Sequence, residues 1–283
     1  MKVIGRAAEM RDFSDSERRK KKKIAFVPTM GYLHEGHLSL LRKARKIADT
    51  TVMSIFVNPL QFGPAEDFKH YPRAPKKDLM LAKNEGCSVV FIPGINEMYP
   101  AGEKTRVEVL GLSGILCGKF RPGHFVGVTT VVAKLLNAVN PHFLVLGRKD
   151  AQQAAIIERM VKDLHFPVKV VVCPTVREKG GLAASSRNKY LSDSERQDAL
   201  VLFRALSLGR RLIQQGEKRA RVVRENMRKL IKRFPSVKLE YVSVVDPRSL
   251  EEIKTVKGNV ILALAARLGK TRLIDNVLAG GRR

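Results

Sequence analysis

Short apolar runs alternate with helical patterns over the first two thirds of the chain. Residues 24–27, 52–57 and 143–146 are almost continuously apolar, which is typical of strands buried on both faces. Residues 89–92 and 168–172 repeat this pattern. Between the runs, apolar residues recur at the three- and four-residue spacing of helices. The alternation predicts an α/β fold with a Rossmann-like parallel sheet covered by helices.

The pattern changes near residue 175. Two long helical stretches, residues 193–215 and 219–233, come first, and β-like runs follow them between residues 239 and 276. Helices followed by strands without alternation are typical of an α+β domain. We therefore predict a Rossmann-like domain over residues 1–175 and a smaller α+β lid domain over residues 176–283, with the active site between them.

Charge is the unusual feature of the composition. The 283 residues include 53 Lys and Arg against 27 Asp and Glu, a formal net charge of +26. Such an excess of cations first suggests a nucleic-acid-binding protein. The basic residues are spread over both predicted domains, however, and only 6% of residues are aromatic, with no Trp for base stacking. We therefore expect no specific nucleic-acid partner, and no motif assigns a role to most of the surplus charge.

The chain lacks the sequence patterns of membrane and secreted proteins. No run approaches the roughly 18 apolar residues that a membrane-spanning helix needs. Cys87, Cys117 and Cys173 are far apart, odd in number and outside any Cys-x-x-Cys pair. This spacing argues against a disulfide framework and a zinc site, and it favours a reducing compartment. We expect a cytoplasmic protein with no membrane partner.

The most informative motif is Pro-Thr-Met-Gly-Tyr-Leu-His-Glu-Gly-His at residues 28–37, between the first predicted strand and the first predicted helix. A helix N-terminus presents free N–H groups and a partial positive charge, which suit a phosphate. His34 and His37 share one face of that helix start, and Gly36 lets a flat group such as a purine approach the backbone. Two histidines beside an anion site can donate hydrogen bonds to a phosphate whose charge grows in the transition state.

Two simpler interpretations of this motif stay open. The histidines could be ordinary surface residues, although the glycines and the position after a strand argue against that. They could also bind zinc, but the His-Glu-x-x-His zinc motif places its histidines four residues apart. His34 and His37 are three residues apart, and no third ligand is evident.

Two further segments follow predicted strands, at the edge where parallel sheets bind ligands. Residues 54–63 contain uncharged polar side chains, among them Gln61, which suit hydroxyl and carboxylate groups. In residues 147–153, Lys149 can neutralise phosphate, and Asp150 can bind a ribose hydroxyl or simply cap the next helix. Each segment alone is also compatible with an ordinary strand-to-loop junction.

The segment Ala-Ser-Ser-Arg-Asn at residues 184–188 lies just past the predicted domain boundary. Two hydroxyls and a guanidinium in one loop can clamp a phosphate. Gly180 and Gly181 upstream would let this loop move and close. A polar connecting loop explains the same residues equally well when the segment is taken alone.

Taken together, these motifs resemble the pantoate–β-alanine ligases of the HxGH nucleotidyltransferase superfamily. The resemblance extends over nearly the whole chain, and its segments occur in family order. They are residues 28–37, 57–63, 71–73, 121–127, 147–153, 174–178, 185–190 and 265–276. An HxGH motif alone indicates only the superfamily, whereas the ordered set is highly specific.

The resemblance implies a two-step reaction in a cytoplasmic homodimer. Pantoate and ATP would form pantoyl adenylate and pyrophosphate, with Mg²⁺ neutralising the phosphates. The amine of β-alanine would then attack the adenylate to give pantothenate and AMP. Asp78 matches a family position near the metal and the phosphates. Closure of the smaller domain would protect the adenylate from water.

The resemblance also implies roles residue by residue. His34 and His37 would stabilise the transferring α-phosphate, with His37 as the acid, and Lys149 would complete the catalytic set. Gln61 and Gln153 would bind pantoate, and Gln61 would also contact β-alanine. The implied ATP-binding residues are Met30, Gly31, His34, Gly36, His37, Gly147, Lys149, Asp150, Val176, Ala184, Ser185, Ser186 and Arg187.

The chain departs from the family pattern in two places. Arg148 stands where the family usually has Glu, and residues 179–181 read Lys-Gly-Gly where Ala-Asp-Gly is common. Neither change removes a residue that we assign to the chemistry. An adenylyltransferase acting on a phosphorylated substrate would share the HxGH motif, but it would not account for Gln61 and Gln153, which suit an uncharged polyol acid.

Overall fold

The computed structural model describes residues 1–64 and 66–280. The chain divides into two compact units. The first consists of Met1–Gly114, Gly118–Gly147 and Ile156–Pro174, and the second of Ile115–Cys117, Arg148–Ala155 and Thr175–Arg283. The chain passes from the first unit to the second for the last time after Pro174, where the pattern of apolar residues changes. Two short earlier segments also belong to the second unit.

A six-stranded parallel sheet forms the centre of the first unit, among the residues that the structure describes. Its strands are β1 (Lys2–Ile4), β2 (Ile24–Thr29), β3 (Thr50–Ile55), β4 (Val89–Phe91), β5 (Phe143–Gly147) and β6 (Lys169–Cys173). They lie in the order β1-β4-β3-β2-β5-β6, and each neighbouring pair is parallel. The order reverses between β2 and β5, and sheets of this kind bind ligands beyond the carboxyl ends of the strands at such a reversal.

Helices connect these strands along the chain, which is the alternation that the sequence predicted. They are α1 (Ala7–Arg19), α2 (Glu35–Ile47), α3 (Pro75–Asn84), α4 (Ile95–Met98), α5 (Cys117–Phe120), α6 (His124–Val139) and α7 (Ala151–Asp163). α6 is buried along most of its length. We did not predict it from the sequence, because a helix that is buried along most of its length shows little amphipathic period.

The second unit is an α+β structure, which completes the predicted fold class. Two helices, α8 (Asp193–Gln214) and α9 (Ala220–Ile231), precede three strands, β7 (Val237–Val245), β8 (Asn259–Leu268) and β9 (Thr271–Gly280). The strands form an antiparallel sheet in the order β7-β8-β9. The helices and the sheet share a core of buried aliphatic side chains that includes Leu206, Met227 and Leu262. In the described ranges of both units, no helix has the length and apolar character needed to cross a membrane.

The basic run at residues 18–23 spans the end of α1, and one buried carboxylate binds two of its lysines. Glu17 is 7% exposed and accepts hydrogen bonds from Nζ of Lys20 at 3.0 Å and from Oγ1 of Thr50 at 2.8 Å. Nζ of Lys22 lies 3.2 Å from Oε2 of Glu17, the oxygen that also accepts from Thr50. The hydrogen bond from Lys20 is the largest influence and lowers the pKa of Glu17 to about 2, although burial opposes it.

We expect Glu17→Gln to lower the free energy of unfolding at pH 7 by about 1 to 2 kcal/mol, because the charged hydrogen bonds are lost. The folded-state pKa is depressed, so this contribution is complete above about pH 4.5 and is lost as the pH falls toward 2. Urea unfolding at pH 7, 5 and 3 should therefore show a difference from wild type that shrinks with acidification. The exposed Glu9 pairs with Lys2, and Glu9→Gln should change stability little at any of these pH values. A difference that stayed constant down to pH 3 would contradict the assignment.

Candidate active site

The loop between β2 and α2 is fixed by a buried carboxylate. Asp78, in the first turn of α3, is 1% exposed, and its two oxygens accept the backbone N–H groups of Tyr32 and Leu33, each at 2.8 Å. Gly31 has a φ of 80°, and a Cβ there would lie 2.9 Å from Cγ2 of Ile55 and 3.0 Å from Oδ2 of Asp78. Asp78 therefore holds the backbone that leads to the two histidines, and only glycine fits beside it.

Both histidines of the motif are oriented by backbone N–H groups at the start of α2. Nδ1 of His34 accepts from the N–H of Gly36 at 3.1 Å, and Nδ1 of His37 accepts from the N–H of His34 at 3.4 Å. The two ring centroids are 4.0 Å apart. Because Nδ1 is the acceptor in each ring, a neutral ring carries its proton on Nε2, which is then the donor. Two imidazole donors thus stand at a helix N-terminus, which favours anions.

The side chain of Gln61 is buried after β3 and held at both ends. Its Oε1 accepts from Nδ2 of Asn58 at 3.1 Å, and its Nε2 lies 2.9 Å from Sδ of Met30. Oδ1 of Asn58 in turn accepts from the hydroxyl of Tyr99 at 2.7 Å. Burial raises the pKa of Tyr99, so its phenol stays protonated and remains a donor near neutral pH. Gln61 therefore has a defined orientation, as a residue that recognises a small substrate requires.

The 3-10 turn Pro59–Gln61 packs tightly against α6. A Cβ on Gly127 would lie 2.4 Å from the carbonyl oxygen of Leu60, so no larger residue fits there. Nδ2 of Asn58 also donates to the carbonyl oxygen of Gly127 at 3.0 Å. The missing side chain of Gly127 lets the helix backbone support the turn directly.

The carbonyl group of Gln61 is held by a second network. The guanidinium of Arg121 donates to this oxygen at 3.2 Å and to the two carboxylate oxygens of Glu66 at 2.7 and 2.5 Å. Nδ1 of His124 lies 2.7 Å from the same carbonyl oxygen. Burial alone would raise the pKa of Glu66, but the Arg121 charge outweighs it and keeps that pKa below its usual value. The turn is thus fixed through both the side chain and the backbone of Gln61.

In the second unit, Lys149 and Asp150 lie in a 3-10 turn, Arg148–Asp150, that leads into α7. Nζ of Lys149 is 3.4 Å from Oδ1 of Asp150, and the two side chains are 22% and 43% exposed. Gln153 lies in the first turn of α7. The turn thus presents an accessible cation and an accessible carboxylate.

The serine segment follows a hairpin in the second unit. The N–H of Ala184 donates to the carbonyl oxygen of Val176 at 3.0 Å, and this bond closes the hairpin. Oγ of Ser185 then accepts the N–H of Arg187 at 3.3 Å, at the start of the 3-10 turn Ser186–Tyr190. Hydroxyl and guanidinium groups are therefore gathered in one short turn, as a phosphate clamp requires.

A buried amide supports this turn. Nδ2 of Asn188, which is 3% exposed, donates to Oε1 of Glu178 at 2.6 Å and to the carbonyl oxygen of Ala183 at 3.0 Å. Arg196 of α8 contacts Oε2 of Glu178 at 2.5 Å and the carbonyl oxygen of Asn188 at 2.8 Å. These contacts join the turn to the hairpin before it and to α8.

The predicted site residues divide between the two units. The first unit contains Met30, Gly31, His34, Gly36, His37, Gln61, Asp78 and Gly147. The second contains Lys149, Asp150, Gln153, Val176, Ala184, Ser185, Ser186 and Arg187. Within the first unit, the structure brings His34 and His37 together and places Met30 against Gln61. Gly147 is the last residue of β5, the strand beside β2.

The sequence analysis missed most of the residues that hold the predicted site residues in place. Tyr99 lies in a stretch without any local signal, and its partner Asn58 is 41 residues away. Arg121 and His124 were part of a motif to which we assigned no role. Asp78 was assigned to a metal, whereas its oxygens accept backbone N–H groups, so the metal role stays a prediction. Nowhere in residues 1–64 and 66–280 do three His, Cys, Asp or Glu side chains form a group that could hold a metal ion.

The chain is similar to known proteins over nearly its whole length. The sequence pattern of the pantoate–β-alanine ligase family matches residues 2–278. A pantothenate synthetase of Moorella thermoacetica is 52% identical over 98% of both chains. One of Thermotoga petrophila is 51% identical over 99% of this chain and 100% of its own.

Solved structures of pantothenate synthetases are similar to this chain over the same length. Pantothenate synthetase of Thermus thermophilus superposes with a TM-score of 0.94 at 43% identity, covering 98% of this chain and 99% of that one. A pantoate–β-alanine ligase of Francisella tularensis, complexed with β,γ-ATP and β-alanine, superposes with a TM-score of 0.81 at 35% identity, covering 98% and 97% of the two chains. The chain therefore belongs to the pantoate–β-alanine ligases, enzymes that use ATP to join pantoate to β-alanine.

Proposed function

We propose that this ligase works through pantoyl adenylate and that the residues described above carry the reaction. In the first step, a carboxylate oxygen of pantoate bonds to the α-phosphorus of ATP, and the bond to pyrophosphate breaks. In the second step, the β-alanine amine bonds to the pantoyl carbon, loses a proton, and the bond to AMP breaks. The orientation of His34 and His37 by backbone N–H groups is the observation that carries this proposal. This orientation would aim imidazole donors at the α-phosphate, where charge grows in the transition state.

In the first unit, we assign the nucleotide to the segment after β2 and pantoate to the turn after β3. Met30, Gly31 and Gly36 would lie along the nucleotide, since backbone without bulky side chains can approach it closely. Gln61 would bind pantoate and contact β-alanine through an amide whose direction is already fixed. A pre-oriented group loses little entropy when the substrate binds.

In the second unit, we assign Lys149 and the segment 184–187 to the phosphates of ATP. An ammonium and a guanidinium can neutralise charge on the leaving pyrophosphate. Asp150 would accept a ribose hydroxyl, Val176 would contact the nucleotide, and Gln153 would bind pantoate. Closure of this unit over the adenylate, expected from the family resemblance, stays a prediction.

Mg²⁺ would enter with ATP as part of the substrate. It would neutralise the phosphate oxygens and make the α-phosphorus more electrophilic. Lys149 and Arg187 would share this charge neutralisation. Asp78 stays the predicted neighbour of the ion, beside its role in holding the loop.

The homodimer and the cytoplasmic location implied by the resemblance are also proposals. All three cysteines are buried free thiols, which is in keeping with a reducing compartment. Sedimentation of the purified chain would test the dimer directly, since a mass of about one chain, 31.6 kDa, would contradict it.

Isotope exchange tests the adenylate. Incubated with ATP, Mg²⁺ and labelled pyrophosphate, the protein should move label into ATP only when pantoate is present, and without any need for β-alanine. Release of AMP over many turnovers should then require β-alanine as well. Exchange that required β-alanine would rule out an adenylate formed before the amine arrives. Exchange without pantoate would contradict the substrate assignment.

A further inference from the structure

Two adjacent side chains of β9 hold the two segments that we assign to the phosphates of ATP. The side chain of Asn276 is buried, and its Nδ2 donates to the carbonyl oxygens of Arg148 at 2.9 Å and Lys149 at 2.8 Å. These two carbonyl groups lie on either side of the Cα atom of Lys149. One amide therefore fixes the backbone from which the Lys149 side chain projects.

Asp275 holds the other segment through Arg177. Its buried carboxylate accepts two N–H groups of the Arg177 guanidinium, at 2.6 and 3.0 Å. The same guanidinium donates to the carbonyl oxygens of Gly181 at 2.9 Å and Asn276 at 3.2 Å. Burial raises the pKa of Asp275, while the charges of Arg177 and Lys149 oppose it.

Arg177 belongs to the hairpin that leads into the serine segment. It forms an antiparallel bridge with Ala183, two residues before Ser185. Its guanidinium lies 4.0 Å from the centre of the Phe203 ring, which orients it further. The position of residues 185–187 relative to β9 therefore depends on the pair of Arg177 with Asp275.

These contacts are costly for the fold. Oδ1 of Asn276 is buried and has no hydrogen-bond partner in the part of the chain that the structure describes. A buried unsatisfied oxygen and a buried carboxylate both lower stability compared with apolar side chains of similar size. Groups of this kind are expected where a strand must hold a functional segment in place.

We infer that Asp275 and Asn276, together the β9 brace, are positioning residues for adenylate formation. They set the distance between Lys149 and the 185–187 segment, so that both groups meet the phosphates of one ATP molecule. The inference rests on the proposed roles of Lys149 and of residues 185–187. A misplacement of about 1 Å in such groups is enough to lower a rate by about 100-fold.

Asn276→Leu tests the brace, because leucine keeps the volume and removes both N–H donors. We expect pantoate-dependent ATP–pyrophosphate exchange to fall by about 10- to 100-fold. The reaction of chemically prepared pantoyl adenylate with β-alanine should stay within about twofold of wild type, since it needs no pyrophosphate contacts. Asn226→Leu is the matched control, because Asn226 is exposed on α9 and its amide donates to the carbonyl oxygen of Val222 within the same helix. Equal losses in both half-reactions, or none, would overturn the inference.

A double-mutant cycle tests whether Asn276 acts through Lys149. If it does, Lys149→Met should lower the exchange rate at least about fivefold less in the Asn276→Leu background than in wild type. If the two substitutions instead reduce the exchange rate by independent factors that multiply in the double variant, the brace is overturned and the role of Lys149 is left intact. An unchanged rate in Lys149→Met alone would overturn the role of Lys149 in the proposed function, and the brace with it.

If Asn276→Leu does not fold, substitutions at Asp275 and its partner Arg177 test the β9 brace instead. Asp275→Asn keeps the shape and removes the charge that pairs with Arg177, and it should raise the KM for ATP more than the KM for β-alanine. Arg177→Lys, which keeps a charge but loses the two-pronged contact, should fall between this variant and wild type. An ATP KM equal to that of wild type in a folded Asp275→Asn protein would overturn this half of the inference.

Discussion

Replacing His37 with asparagine is expected to lower pantoate-dependent ATP–pyrophosphate exchange by about 10³-fold while leaving the fold intact. The amide oxygen of asparagine can take the place of Nδ1, which accepts the N–H of His34. It cannot take the place of Nε2, the atom that would donate to the α-phosphate. The variant therefore keeps the contact at the start of α2 and loses the proposed catalytic donor.

His37→Gln tests the same two ring atoms in the opposite way, because it replaces the donor Nε2 and not the acceptor Nδ1. Its amide nitrogen reaches the region of Nε2, so glutamine should retain more exchange activity than asparagine, although it loses the acceptor near the backbone. Loss of such a contact at a helix start costs about 1 kcal/mol, which lowers the melting temperature by about 2 to 4 °C in a chain of this size. His165→Asn is the control, since His165 is exposed and has a φ of 52°, which asparagine tolerates. Wild-type exchange in His37→Asn would remove this residue from the mechanism.

The sheet was predictable because its strands are buried on both faces. Such strands appear as short continuous apolar runs, and β2, β3 and β5 each coincide with one. β1 has only three residues and α6 is buried along most of its length, so neither produces a clear periodic pattern. The edge strand β1 and the buried helix α6 are therefore among the elements that required the structure.

The site was predictable where its residues are close in sequence. His34 and His37 belong to one motif, and the same turn of helix brings them together. Asp78 and Tyr32, by contrast, are 46 residues apart, and Asn276 is 127 residues from Lys149. Only the fold brings such pairs into contact, so a single sequence indicates the groups that touch substrate better than the groups that hold them.

Lys149→Met is expected to lower adenylate formation by about 10²- to 10³-fold, with a higher KM for ATP, because methionine keeps the length of the side chain but carries no charge. Stability should change little. The Lys149–Asp150 pair is 3.4 Å long and partly exposed, and such pairs contribute about 0 to 1 kcal/mol. Lys229→Met, on the exposed face of α9, is the matched control and should leave both rates unchanged.

Arg148 is the neighbour that could replace the lost charge, and the geometry argues against it. Successive side chains of a 3-10 turn point about 120° apart, and Asn276 fixes the backbone on both sides of Lys149. The side chain of Arg148 therefore leaves the turn in a different direction from that of Lys149, and we expect its guanidinium not to take the place of the ammonium. Adding Arg148→Glu, which restores the usual residue of the family, should then lower the rate of Lys149→Met no more than it lowers the rate of wild type. A Lys149→Met protein that keeps more than about a tenth of the wild-type rate and loses it on Arg148→Glu would show that Arg148 supplies the charge instead.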